Sequence, residues 1–349
     1  MKFSNGCWLQ KEGCSCFAPA EAYFTRIEEK KVTICAPTAH IVTRGDTLGG
    51  INLTLEITSP APEILRVRTY HYKGEVVNTP SFELELNEEL PLDVTDSEEE
   101  ISIKSGELTL VITKKNWSMT YYRNGEMITR SAGRDLALMK TDFKGFAYND
   151  TDAEETYMRQ MLSLSVGELV YGTGERFTPF VKNGQSIDIW NADGGTSTEQ
   201  SYKNIPFFIT NKGYGVLVNH PEKVSIEVAT EMVTRTEFSV PGGYLDYFLI
   251  NGPTMKEVLT RYTDLTGKPS LPAPWTFGLW LSTSFTTNYD EATVMSFIDG
   301  MLDRGIPLRT FHFDCFWMKE FHWSDFVWDN RVFPDPAGLL KRIKAKGLN

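Results

Sequence analysis

An abrupt change of rhythm at Pro253 constrains this chain more than any other feature. Before it, short runs rich in β-branched residues recur at 65–70, 101–104, 108–113, 215–219 and 225–228. Turn signals such as Asn124-Gly125, Lys212-Gly213 and Gly242-Gly243 separate them. Many short strands with frequent turns predict a β-sandwich over residues 1–250. The acidic run 93–100 reads as a solvated loop between two of those strands. After Pro253 the period lengthens. Thr254 and Glu257 form a capping-box pattern, in which the Thr hydroxyl and the Glu carboxylate each satisfy the other's backbone N–H. Val258, Leu259, Tyr262 and Leu265 then share one helical face, and Gly267 with Pro269 stops the helix. That helix and a Pro-rich linker occupy residues 251–274.

Beyond the linker, residues 275–281 form an apolar run suited to a strand buried on both faces. Val294, Phe297, Ile298, Met301 and Leu302 repeat at helical spacing, and Gly305 ends that helix. Residues 309–314 read as a second strand, followed by a long aromatic excursion and a helix opened by Asp335-Pro336. Strand–helix–strand–excursion–helix is the order of parallel β/α units. The span from Pro272 to Asn349 is about a third of the ~250 residues that a closed (β/α)₈ barrel requires. Residues 275–349 are therefore expected to supply only the first units of a TIM barrel, with a third strand beginning after Gly347.

Composition narrows the function classes. The net charge of −11 opposes a phosphate backbone, and no basic cluster overturns it, so nucleic-acid binding is not expected. No stretch approaches the ~20 apolar residues of a membrane span. The opening residues lack the apolar core of a secretory signal. Cysteines are odd in number and crowd the N-terminus (Cys7, Cys14, Cys16, Cys35), with Cys315 apart. Cys14-x-Cys16 is not a zinc spacing, so reduced thiols in a cytoplasmic protein are expected, with no metal and no cofactor.

In parallel β/α folds the functional ends are the C-terminal ends of the strands. Asp314 stands at such an end. It reads either as a rigid acceptor for sugar hydroxyls or as a carboxylate capping the next loop. Phe285, Phe316 and Trp317 can wall a pocket or fill a core. His312, Asp314, Cys315 and His322 are metal-ligand types. Alternation separates Cys315 from His312 and Asp314, so a buried, hydrogen-bonded His312 is expected instead of a ligand. Gly172-Thr-Gly-Glu-Arg176 lacks the third glycine of a phosphate cradle and reads as a tight turn carrying an Arg. Residues 183–196 form a long polar loop.

Several motifs together carry a resemblance. Tyr171-Gly-Thr-Gly-Glu-Arg-Phe177, Trp190-Asn-Ala-Asp-Gly-Gly-Thr-Ser-Thr-Glu-Gln200, Tyr202-Lys-Asn-Ile-Pro-Phe207 and Gly215-Val-Leu-Val-Asn-His220 resemble the N-terminal domain of glycoside hydrolase family 31. Trp275-Thr-Phe-Gly-Leu-Trp-Leu281, Phe285-Thr-Thr-Asn-Tyr-Asp-Glu-Ala292, His312-Phe-Asp-Cys-Phe-Trp-Met318, Trp328-Asp329 and Phe333-Pro-Asp-Pro336 are similar to its bacterial α-xylosidase branch. The resemblance implies a galactose-mutarotase-like β-sandwich followed by an incomplete (β/α)₈ barrel. It implies retaining hydrolysis of terminal α-D-xylosyl residues, such as those of xyloglucan oligosaccharides. Asp314 matches the acceptor of the non-reducing sugar's hydroxyls. Phe285, Cys315 and Phe316 match residues that distinguish xylosidases from glucosidases, Asp193 matches a sandwich-loop residue at the site entrance, and Trp317 lies within the motif. The nucleophile and acid/base of the family match no position here, so Asp290, Asp314 and Glu320 are not assigned those roles, and the isolated chain is expected to be inactive. A homo-oligomer is expected of the whole protein. The alternatives are a family 31 α-glucosidase and a non-catalytic carbohydrate-binding sandwich.

Overall fold

The computed structural model describes residues 1–6, 8–75, 81–86, 90–142, 155–193, 197–283, 287 and 289–349. The chain divides into two compact units, Met1–Lys268 and Pro269–Asn349.

The first unit is a β-sandwich. Its eight-stranded sheet places in order Val170–Glu175, Lys203–Thr210, Tyr214–Val218, Tyr244–Asn251, Ile64–Tyr70, Asn52–Ala61, Lys31–Pro37 and Phe24–Glu28. Every neighbouring pair is antiparallel, and Ile64 lies opposite Ile250 across the central seam. A six-stranded sheet and a five-stranded meander (93–132) face it. Period-two alternation sends one face of each strand inward. Ile34, Leu53 and Leu55 from the first sheet thus join Leu138, Met158 and Phe238 from the second and Ile103, Leu110 and Tyr121 from the meander in one core. Each such side chain contributes about 1.5–3 kcal/mol by leaving water. Between the meander and the eight-stranded sheet, the Tyr121 and Tyr247 hydroxyls bond each other at 2.8 Å inside that core. Asn124 (φ 48°) and Gly125 (φ 82°) make the tight hairpin that their sequence signals.

Helix α1 (Met255–Thr266) belongs to this unit and is capped as read. Glu257 N–H donates to the Thr254 hydroxyl at 3.3 Å, and Thr254 N–H donates back to the Glu257 carboxylate at 3.0 Å. Val258 and Leu265 are buried, and Tyr262 stacks on Phe207 at 4.0 Å. Leu259, expected on that face, is 44% exposed, because it lies about 100° round the helix from Val258.

The second unit contains two parallel strands, Leu279–Leu281 and Leu308–Phe311, joined through α2 (Glu291–Asp303) and followed by α3 (Pro336–Ala345). Asp290 and Asp335 cap the two helices by accepting from Thr293 N–H and Gly338 N–H. Val294, Ile298, Leu339 and Ile343 turn inward onto Leu308, Phe311 and Phe333. After Gly347, Asn349 N–H donates to Arg309 O at 2.9 Å while Phe311 N–H donates to Asn349 O at 3.0 Å. That slanted exchange is how a parallel strand joins a sheet.

Four local readings are corrected. Of residues 275–281, the first three lie in a 3₁₀ turn (Pro274–Phe277), and only Leu279–Leu281 is extended. Leu279 and Trp280 are 43% and 48% exposed rather than buried, because side chains leave the faces of a sheet and little packs on the faces of this strand among the described residues. The second strand ends at Phe311, three residues before Asp314. The acidic run is not wholly loop, since Asp93–Asp96 forms an edge strand against Glu100–Ser105. Charges on an edge strand discourage further pairing. Finally, residues 172–176 are not a turn. Val170–Glu175 is a strand with a register shift between Gly172 and Gly174, which brings its backbone against Lys203–Thr210. A Cβ on Gly174 would lie 2.0 Å from Lys203 O.

Candidate functional site

In the second unit, Asp314, Cys315, Phe316 and Trp317 form a single turn just past the strand Leu308–Phe311. Met318 N–H closes it onto Cys315 O at 3.0 Å. Asp314 adopts a left-handed backbone (φ 54°), which short polar side chains tolerate better than most. It is half-buried, and its Oδ1 accepts from Cys315 N–H at 2.8 Å, so it caps the turn, one of its two readings in the sequence. Burial and the neighbouring Asp314 carboxylate push the Cys315 thiol up, which leaves it a neutral, compact side chain at neutral pH.

Aromatic rings pack around this turn. Phe316 meets Tyr289 edge-on at 6.2 Å and Trp323 at 5.6 Å. Trp317 lies against Trp328 at 5.1 Å and Phe326 at 6.5 Å, so packing accounts for much of its surface. Tyr289 was not singled out in the sequence. It is buried, its hydroxyl accepts from Thr283 N–H at 3.1 Å, and its ring touches Phe311, Phe313 and Phe316. The signal available for it was an aromatic residue immediately before the α2 cap. Phe285 lies outside the described residues. His312 is exposed, not buried as expected, because the strand has already ended at Phe311; its Nδ1 lies 3.4 Å from the Ser282 hydroxyl. Among the described residues no group of three His, Cys, Asp or Glu side chains could hold a metal ion. Cys14, Cys16, Cys35 and Cys315 are unpaired thiols, and Cys7 lies outside the described residues.

Several carboxylates of this unit already have partners. Asp290 and Asp335 cap helices, Asp299 pairs with Lys346 at 2.7 Å, and Glu320 and Asp329 share Arg331. Arg331 holds the Asp329 carboxyl down to about 2. None of these is placed as a nucleophile.

In the first unit, Asp193 is exposed and accepts a hydrogen bond from the Tyr202 hydroxyl. That bond and the carboxylate's charge raise the Tyr202 phenol. The segment 183–196 is not loop throughout: Gln185–Ile189 is a strand paired with Val224–Val228, and Asn191 bridges to Ser201. Arg176 ties this region together. Its guanidinium donates to Thr173 O at 3.1 Å, Glu199 O at 3.0 Å and Asp188 O at 2.8 Å, and also to Asn204 Oδ1. Four acceptors from four separate segments hold the base of the Asp193 loop, and desolvation lowers the guanidinium from its usual value.

Beside this loop, His220 lines a cavity of about 270 Å³ together with Trp190, Asn191 and Asn204. It is 7% exposed, its Nε2 has no partner among the described residues, and burial lowers it to about 4 against the opposing pull of Asp246. A base held neutral in the fold takes its proton first in the unfolded chain. The stability it permits is therefore present above about pH 6.5 and is lost as pH falls towards 4, by an amount on the order of 2–3 kcal/mol. Glu237, whose carboxyl burial pushes well up, acts in the opposite sense. The check is a difference. Urea midpoints of wild type and His220→Gln are measured at pH 7 and pH 4.5, and the acid loss is expected to be smaller in the variant. Equal losses would refute a buried neutral His220.

The chain is similar throughout to known proteins. Residues 54–227 match the N-terminal galactose mutarotase-like domain of glycosyl hydrolase family 31, and residues 269–349 match the family 31 TIM-barrel domain. The α-xylosidase XylQ of Lactiplantibacillus pentosus is 45% identical over 100% of this chain and 44% of its own length. An α-xylosidase of Emericella nidulans is 43% identical over 100% of this chain and 46% of its own length. This chain thus spans less than half the length of these relatives. Among solved structures, a family 31 dextranase from Flavobacterium johnsoniae complexed with glucose superposes with a TM-score of 0.74. It is 20% identical and covers 95% of this chain and 38% of its own. At that identity the likeness carries the fold.

Proposed function

The chain belongs to glycoside hydrolase family 31, and from that premise we propose that it forms the first part of a retaining α-xylosidase acting on terminal α-D-xylosyl residues of oligosaccharides. The observation that carries this reading is the identity of 43–45% to two α-xylosidases along the entire chain. The site chemistry supports it. A half-buried carboxylate at Asp314 offers a charge-assisted acceptor to sugar hydroxyls. Phe316, wedged between Tyr289 and Trp323, and the un-ionised Cys315 give bulk at one corner of the same turn. Xylose lacks the hydroxymethyl group of glucose, so bulk there adds a clash with glucose on top of any contact with xylose. In the first unit, Asp193 and Tyr202 form a polar, exposed pair of the kind that hydrogen-bonds sugar hydroxyls.

Retaining hydrolysis uses two carboxyl groups about 5–5.5 Å apart, one as nucleophile and one as general acid/base. No residue of this chain is assigned either role. Here the chain binds and orients the sugar ring and excludes its competitor. The unpaired thiols support a reducing compartment as its place of work.

The test compares p-nitrophenyl α-D-xyloside with the α-D-glucoside. The whole protein is expected to hydrolyse the xyloside at least about tenfold faster in kcat/KM, while residues 1–349 alone release no nitrophenol. A glucoside preference would replace this reading with an α-glucosidase. Turnover by the isolated chain would place a nucleophile within it.

A further inference from the structure

The excursion between the strand Leu308–Phe311 and α3 contains no strand or helix among its described residues, yet it carries the turn that contains Asp314. What holds it converges on one residue. Asp329 is 7% exposed, and each of its polar groups is engaged. Its N–H donates to Trp317 O at 3.0 Å. Its carbonyl accepts from Val332 N–H at 3.1 Å and from Phe333 N–H at 2.9 Å. Its carboxylate accepts from Arg331 Nε at 2.9 and 3.1 Å, from Nη2 at 2.6 Å and from Arg331 N–H at 3.0 Å. Arg331 reaches on to Glu320. One residue before, Trp328 forms an antiparallel bridge with Met318, and its ring lies against Trp317.

We propose that Asp329 is a positioning residue for the turn 314–317, acting through the Trp317 carbonyl, with Arg331 fixing its carboxylate; the proposal rests on the functional reading above. Two anchors define the turn. On its N-terminal side it leaves a strand whose last residue, Phe311, is buried. On its C-terminal side the only backbone tether from Trp317 O runs to Asp329 among the bonds described, and Asp329 is itself tied to Phe333, a fully buried core residue. Asp329 thereby transmits the position of the core to the turn that presents Asp314 and Phe316. A planar guanidinium gripping a carboxylate at several points fixes orientation as well as distance, which a point charge does not. Reacting groups displaced by about 1 Å lose roughly a hundredfold in rate, so slack in this tether reaches the chemistry.

The experiment uses the whole protein with Asp329→Asn, Arg331→Lys and Arg331→Gln, assayed on the p-nitrophenyl α-xyloside and α-glucoside. KM and the ratio of the two kcat/KM values do not depend on how much enzyme is folded, so a purely structural role leaves both unmoved. Asp329→Asn is expected to raise KM for the xyloside about fivefold to tenfold and to reduce the xyloside-to-glucoside ratio about tenfold. Arg331→Gln is expected to do the same more weakly, with Arg331→Lys nearer wild type. Arg331 is exposed, so these two variants carry the test if Asp329→Asn fails to fold. Unchanged KM and ratio, with or without loss of total activity, overturn the positioning role. An active wild type with unaltered variants sinks this inference alone, whereas a wild type inactive on the xyloside sinks the functional reading and this inference with it.

Discussion

Asp314→Ala in the whole protein is expected to lower kcat/KM on p-nitrophenyl α-D-xyloside by a factor of about 10²–10³. The magnitude follows from what the carboxylate would hold. Hydrogen bonds to a charged group contribute about 1.5–3 kcal/mol each. Losing two of them, partly offset by water, leaves about 3–4 kcal/mol, and each 1.36 kcal/mol is tenfold in rate. The backbone separates the two effects of substitution. At φ 54° an Ala pays about 1 kcal/mol more than an Asn, whose short polar side chain suits the left-handed region. Asp314→Asn therefore keeps the turn and one neutral acceptor, and about a tenfold loss is expected of it. If Asp314→Ala stays within about threefold of wild type, the residue caps its turn and does nothing for the sugar.

Gly174→Ala is expected to destabilise the sandwich by about 3–4 kcal/mol. The added carbon would lie 2.0 Å from Lys203 O, 2.9 Å from Lys203 C and 3.0 Å from Ile205 N, all of them backbone atoms of the neighbouring strand. A flexible side chain could move aside; a strand in the eight-stranded sheet cannot. Overpacking of about 1–3 kcal/mol adds to the strain of φ 91°. For a unit of this size that is a fall of roughly 10 °C in Tm by calorimetry. Gly125→Ala is the control, because φ is again positive (82°) but no atom lies within 4 Å of the new carbon. About 1 kcal/mol is expected there. Equal losses at the two positions would show that backbone conformation, not strand contact, explains both glycines.

The same glycines show where reading the sequence succeeds and where it stops. Period-two runs and their turns located strands such as Ile64–Tyr70 and Leu108–Thr113, and local side-chain chemistry located the caps at Thr254 and Asp335. Those signals lie within a few residues of what they determine. Gly172 and Gly174 read as a turn because turn glycines and close-approach glycines look alike until the partner strand, some 30 residues away, is known. Residues 275–281 failed for a related reason. An apolar run does not say whether neighbours will cover it, and Pro274 opens a 3₁₀ turn inside it. Of the candidate site, the contiguous residues 314–317 stood out in the sequence, although its pattern carried the preceding strand on to Asp314 instead of Phe311. The acceptors of Arg176, the ring contacts of Tyr289 and the bond of Asp329 to Trp317 join separate segments, and no spacing rule predicts them.

The pairing of Ile64–Tyr70 with Tyr244–Asn251 sets a timetable for biosynthesis. A ribosome delivers the first of these strands long before the second, so the pairing across the central seam of the eight-stranded sheet cannot form until then. Joining strands so distant in the chain is slow, because the loop between them must close before any contact rewards it. Leu65 and Val67, fully buried in the finished fold, wait beside that seam throughout the interval. The nascent sandwich is thus expected to be open to misassociation until Tyr244–Asn251 has been made.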